Sequence, residues 1–96
     1  MDFKILYHED ALADLEEIFD WSREKHPRTT ERFANELFDH IELLHALPYM
    51  GTPVIGHPHV SRLLHSPLYV YYHLDENRSA IEILHFWHSS RRDPRF

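Results

Sequence analysis

Leu68-Tyr69-Val70-Tyr71-Tyr72 decides the reading of this chain. Aromatic and β-branched residues at this density suit a pleated, half-buried surface, so the stretch reads as a strand. Arg62-Leu63-Leu64 precedes it, within a strand expected from Val60 to His65. Leu68 to Leu74 forms the second strand and Ala80 to Trp87 the third, with Asp75-Glu76-Asn77-Arg78-Ser79 as the hairpin loop between them. Successive side chains point to opposite faces, so Tyr69 and Tyr71 point one way and Tyr72 the other. The same alternation puts His85 with Ile81 and Ile83, and Glu82 with Ala80, Leu84 and Phe86. The chain then closes with His88-Ser89-Ser90-Arg91-Arg92-Asp93-Pro94. Arg, His and Tyr gathered on adjacent strands are the side chains that hold phosphate and stack on bases.

Upstream of these strands the period changes. Phe3 to His8 alternates as a strand. Glu9 and Asp10 suit the first turn of a helix, where acids meet the positive end of its dipole. Leu12, Leu15, Ile18, Phe19 and Ser22 share one helical face, and Pro27 stops the helix. Thr29 or Thr30 suits the cap of a second helix. Its apolar stripe is Phe33, Leu37, Ile41 and Leu44, and Pro48 ends it. Pro48 to Pro53 and Gly56-His57-Pro58-His59 read as turns. Trp21 and Trp87 read as core or edge packing, and Phe33 and Phe38 as helix core. The expected fold class is α+β, in the order β-α-α-β-β-β: a helical hairpin packed on one face of a small antiparallel sheet.

Ninety-six residues, 43% of them apolar, bound this to a single domain spanning 1–96. There is no cysteine, which excludes disulfides and thiolate metal sites. No stretch approaches the length of a membrane span, so a soluble cytoplasmic protein without membrane contact is expected. The net charge of −6 divides unevenly. Residues 1–47 carry 12 acids and 5 Lys/Arg; residues 48–96 carry 4 acids, 5 Lys/Arg and six of the ten histidines. Acidic helices thus stand behind an anion-tolerant sheet, and the overall acidity argues against a general nucleic-acid binder. His57-Pro58-His59 lacks a nearby carboxylate or thiolate partner, so no metal is expected. Only Gly51 and Gly56 are present, so there is no Gly-rich phosphate loop and no cofactor is expected.

Taken together, Ala11, Asp14-Leu15 and Ile18, Leu47-Pro48-Tyr49-Met50-Gly51, Arg62-Leu63, Tyr71-Tyr72, Ile83-Leu84 and the closing His88 to Pro94 resemble the RelE/ParE superfamily of toxins from type II toxin–antitoxin modules, also called plasmid stabilisation proteins. The resemblance covers nearly the whole chain and implies one of two activities. A RelE-like member cuts mRNA on the ribosome without a metal. Arg62 would then compensate the phosphate charge, His85 or His88 would serve as acid/base, and Arg91 and Arg92 would supply charge. A ParE-like member poisons DNA gyrase and has no known hydrolytic centre, and His88 followed by Arg91-Arg92-Asp93 resembles its ending more closely. There Arg92 suits a pair with Asp93 or with an acidic helix residue, and His88 suits a cap on the strand end. The chain has two lysines, Lys4 and Lys25, both in its first third, whereas RelE-like nucleases are usually basic and carry several lysines and arginines on their site face. Tyr71 and Tyr72 are the candidate target-binding residues under either activity. A third reading is a non-toxic interaction domain of the same fold. The implied partners are a cognate antitoxin, in a homodimer or a heterotetramer with it, and gyrase or ribosome-bound mRNA as target. Trp21 and Tyr49, if exposed, would favour antitoxin docking.

Overall fold

The computed structural model describes residues 2–96. In chain order it contains β1 (Lys4–Tyr7), α1 (Glu9–Lys25), α2 (Pro27–Glu42) with a 3-10 turn at Leu43–His45, β2 (Thr52–Val54), β3 (His57–His65), β4 (Leu68–Asp75) and β5 (Ala80–His88). The α+β class and the helical hairpin on one sheet face are as the sequence implied.

α1 opens with an extended His8 whose Nδ1 accepts from the Asp10 amide at 3.1 Å. Glu9 and Asp10 fill its first turn and Arg23 and Lys25 its last, complementing the dipole at both ends. The inward face is Ala11, Leu15 and Phe19; Leu12, expected there, is exposed because Ala11 takes the inward position one residue earlier. α2 follows after a single residue. His26 closes α1 through its amide to Ser22 O, and Pro27 starts α2, since a residue without N–H fits the first helical turn. Neither Thr29 nor Thr30 is the cap. Thr30 lies inside the helix and is buried; its hydroxyl donates to His26 O at 2.7 Å, which leaves Ser22 Oγ to donate to Thr30 Oγ1 at 2.6 Å. These bonds tie the two helices at their junction.

The sheet order is β1-β5-β4-β3-β2. β1 runs parallel to β5, with Lys4 opposite Ala80 and Tyr7 opposite Ile83, and the other pairs are antiparallel. The sheet is therefore mixed, not purely antiparallel. It has a fifth strand, β2, in a segment whose Pro53 and Gly51 had marked it as a turn; an edge position tolerates proline.

A β-bulge sets the faces of β5. Tyr71 lies opposite His85, but Tyr72 lies opposite Ile83, which leaves Leu84 as the extra residue. Two residues then oppose one and strict alternation breaks. Ile81 and Ile83 face the helices as expected, but Phe86 joins them there and His85 turns to the opposite face, the reverse of the alternating assignment. The core joins Leu15, Phe19, Leu37, Ile41 and Leu44 to Leu63, Val70, Tyr72, Ile81, Ile83 and Phe86. Each such side chain contributes roughly 1.5–3 kcal/mol on full burial. A smaller cluster of Val54, Val60 and Tyr71, with Tyr69, Leu84 and Trp87 packed on it, lies on the outer face.

Candidate functional site

Strand register assembles the outer face. Arg62 on β3 is opposite Tyr71 on β4, and Tyr71 is opposite His85 on β5, so the three form a row across the sheet. The Leu84 bulge is what brings His85 into it. Arg62 lies over the Tyr69 ring, 4.3 Å from its centroid, a cation–π arrangement that aims the guanidinium along the face.

The closing segment lies over this row. Asp93 Oδ1 accepts from Arg62 Nη1 at 3.2 Å and from the Tyr71 hydroxyl at 2.5 Å. Burial pushes the Tyr71 phenol pKa up, and its hydrogen bond to Asp93 adds to the rise. The Phe96 ring sits 5.3 Å from that of Tyr71 and 5.0 Å from that of His57. Arg91 stacks on Trp87 at 3.6 Å, and the Trp87 indole N–H donates to Arg92 O at 2.6 Å.

Arg62, Tyr71 and Arg91 thus belong to the outer face. Arg92 contributes a backbone carbonyl, and among the described residues its side chain pairs with no carboxylate: Asp93 is taken by Arg62 and Tyr71. His88 stands at the exposed end of β5, where its Nδ1 accepts from the Ser90 amide at 3.1 Å, a local turn bond at the strand end. Tyr72 faces the core instead, fully buried, with its hydroxyl donating to Pro48 O and accepting from the Gly51 amide. The sequence places Asp93 only as a partner for Arg92, not as part of the site. The available signal was that it is the one carboxylate after Glu82, amid three arginines.

His85 is anchored at the sheet edge. β1 ends opposite Ile83, so the Phe86 amide has no strand partner, and Asp14 Oδ2 on α1 accepts it at 3.2 Å. The same oxygen lies 2.9 Å from His85 Nδ1. The outer face therefore holds a guanidinium, a phenol and an imidazole, each already engaged by a carboxylate of the chain.

A second feature lies on the helical side. α1, α2 and the ends of β4 and β5 enclose an apolar groove of about 610 Å³, lined by Ile18, Trp21, Thr29, Phe33, Pro67 and His88 among others. Trp21 is not core packing: it is 68% exposed on the rim of this groove. Tyr49 is exposed as well, Trp87 packs on the outer cluster, and Phe33 packs on the core while Phe38 stays at its edge against Tyr7.

The family model of the ParE toxin of the type II toxin–antitoxin system parDE matches residues 5–93. The chain belongs to that family. It also superposes on a chain of the chromosomal ParDE toxin–antitoxin system from P. aeruginosa with TM-score 0.74 and 21% identity, covering 90% of this chain and 95% of that one. For the RelBE2 toxin–antitoxin complex from Mycobacterium tuberculosis the TM-score is 0.63 at 17% identity, with 92% and 99% covered. For the intact RelBE complex from E. coli it is 0.58 at 15% identity, with 93% and 99% covered. At such identities these likenesses speak for the fold alone. No match is found among curated proteins. Among the described residues no helix is long and apolar enough to cross a membrane.

Proposed function

We propose that this chain is a cytoplasmic, single-domain ParE-like toxin that acts by binding DNA gyrase and is neutralised by a cognate antitoxin. The observation that carries the reading is the Arg62–Tyr71–Asp93 knot. The strand arginine that a nuclease would present to a phosphate is instead paired within the chain. The imidazole in its row is likewise held by Asp14. An engaged cation and an engaged imidazole suit a surface that binds a protein better than one that moves protons. Purified protein is expected to trap gyrase–DNA cleavage complexes. Unchanged supercoiling at saturating protein would count against the target.

A ribosome-dependent endoribonuclease is the second reading, favoured by the Arg62–Tyr71–His85 row itself. Arg62→Ala, and His88→Ala with Arg91→Ala, would then abolish transcript cleavage; retained toxicity in all of them removes this reading. The antitoxin is proposed to lay a folding-on-binding apolar segment into the groove beside Trp21, as helix-in-groove recognition requires. The solved toxin–antitoxin complexes of the same fold make such a partner reasonable. Growth arrest on expressing this chain alone, relieved by a neighbouring antitoxin gene, is the outcome expected. Normal growth in both cases would favour a non-toxic interaction domain.

A further inference from the structure

The last eight residues have no regular secondary structure, and such ends ordinarily fray. Here they are held by directed contacts. The Ser89 amide donates to Pro67 O at 2.9 Å, Trp87 Nε1 holds Arg92 O, Arg62 and Tyr71 hold Asp93, and Phe96 lies on Tyr71 and His57. Beyond Ser90, Asp93 and Phe96 reach the outer face, and Arg91 stacks on Trp87 while also lining the helical groove. Among the described residues no helix covers the outer face, yet Tyr71 has no solvent exposure.

The hold is also of a releasable kind. The Arg62 and Asp93 side chains are 35% and 48% exposed, so their ion pair is water-accessible and screened by salt. We propose that residues 91–96 are an autoinhibitory strap. In place, it neutralises Arg62 and covers Tyr71 beside His85; displaced, it leaves a cationic, aromatic surface across three strands in which His85 stays held by Asp14, so the freed face gains a docking cation and no free acid/base. The inference rests on the reading of the outer face as the surface that meets the target. Asp93 is the latch because its carboxylate engages the cation and the phenol together. Phe96 is the cover.

The test uses the full chain as wild type, D93N and F96A, each checked for native circular dichroism. Hydroxyl-radical footprinting read by mass spectrometry reports Tyr71 exposure without any target present. Losing a hydrogen bond to a charged group changes an opening equilibrium on the order of ten-fold or more. Tyr71 oxidation is therefore expected to rise several-fold in D93N and in F96A, and both variants are expected to inhibit gyrase supercoiling at lower concentration than wild type. Unchanged Tyr71 oxidation in both variants overturns the proposal. So does raised oxidation with weaker gyrase inhibition, which would make the segment part of the binding surface. If oxidation rises but neither wild type nor variants affect gyrase, the target assignment fails while the strap stands, because the footprint is read without gyrase.

Discussion

Tyr71 and Tyr72 are neighbours in sequence with opposite fates, and alternation along a strand was enough to foresee their separation. It gave no access to where their hydroxyls go. The Tyr72 hydroxyl bridges Pro48 O and the Gly51 amide, closing the loop before β2 from inside the core. Tyr72→Phe leaves both backbone groups without that partner and is expected to cost about 1–3 kcal/mol in chemical denaturation. Gly51→Ala tests the same contact from the other side. A Cβ there would stand 2.6 Å from the Tyr72 oxygen and 2.8 Å from Arg62 O, so overpacking of about 1–3 kcal/mol is expected. Another residue-scale feature titrates. His65 Nδ1 lies 2.8 Å from His40 Nδ1, with Phe33 at its edge. Burial lowers the His65 pKa, the His40 charge lowers it further, and Glu36 opposes both. The folded state thus binds its proton less readily than the unfolded chain. This site's contribution to stability is full above about pH 6.5, the ordinary histidine value, and is lost as pH falls from there through the lower folded value. Urea midpoints measured from pH 8 down to pH 5 are expected to drop over that window in wild type and less in His65→Gln.

Helices and long strands were readable because their periods are long and uninterrupted: α1, α2, β4 and β5 follow from apolar spacing and from Pro27 and Pro48. The bulge at Leu84 was not. Alternation assumes one residue opposite one residue, and nothing in Ile83-Leu84-His85 distinguishes a bulged run from a regular one. That single extra residue exchanges His85 and Phe86 between faces, so an element-scale irregularity decides which imidazole belongs to the outer row. β2 escaped for a different reason. Three residues with a proline carry too little pattern to outweigh their turn composition, and only pairing with β3 makes them a strand. At this scale Asp14 is the joint between α1 and the free edge of β5, where it replaces a missing strand partner for the Phe86 amide. Asp14→Ala is expected to lower stability by about 1–3 kcal/mol and to speed hydrogen exchange at Phe86. A normal exchange rate there would show that another group or water takes over.

For the molecule as a whole, the sheet separates two environments. The helical side carries the acidic half of the chain and the main core, and the outer side carries Arg62 and the closing segment. Charge asymmetry made that division visible in the sequence, while the union of Arg62, Tyr71 and Asp93 was hidden by their separation along the chain. Ile83 sits where the division is made, fully buried against both helices' core residues. Ile83→Ala is expected to cost about 2–5 kcal/mol, read as a fall in denaturation midpoint, and to loosen both faces together.

The place of β5 between β1 and β4 has a consequence in time as well as in space. Among the described residues, β1 has no sheet neighbour other than β5, which is made more than seventy residues later. Lys4 waits for Ala80, and α1, which packs on β5, waits with it. The sheet therefore cannot zip up progressively from β1 as synthesis proceeds. A product terminated prematurely before Ala80 lacks the platform for its own beginning and is left to proteolysis.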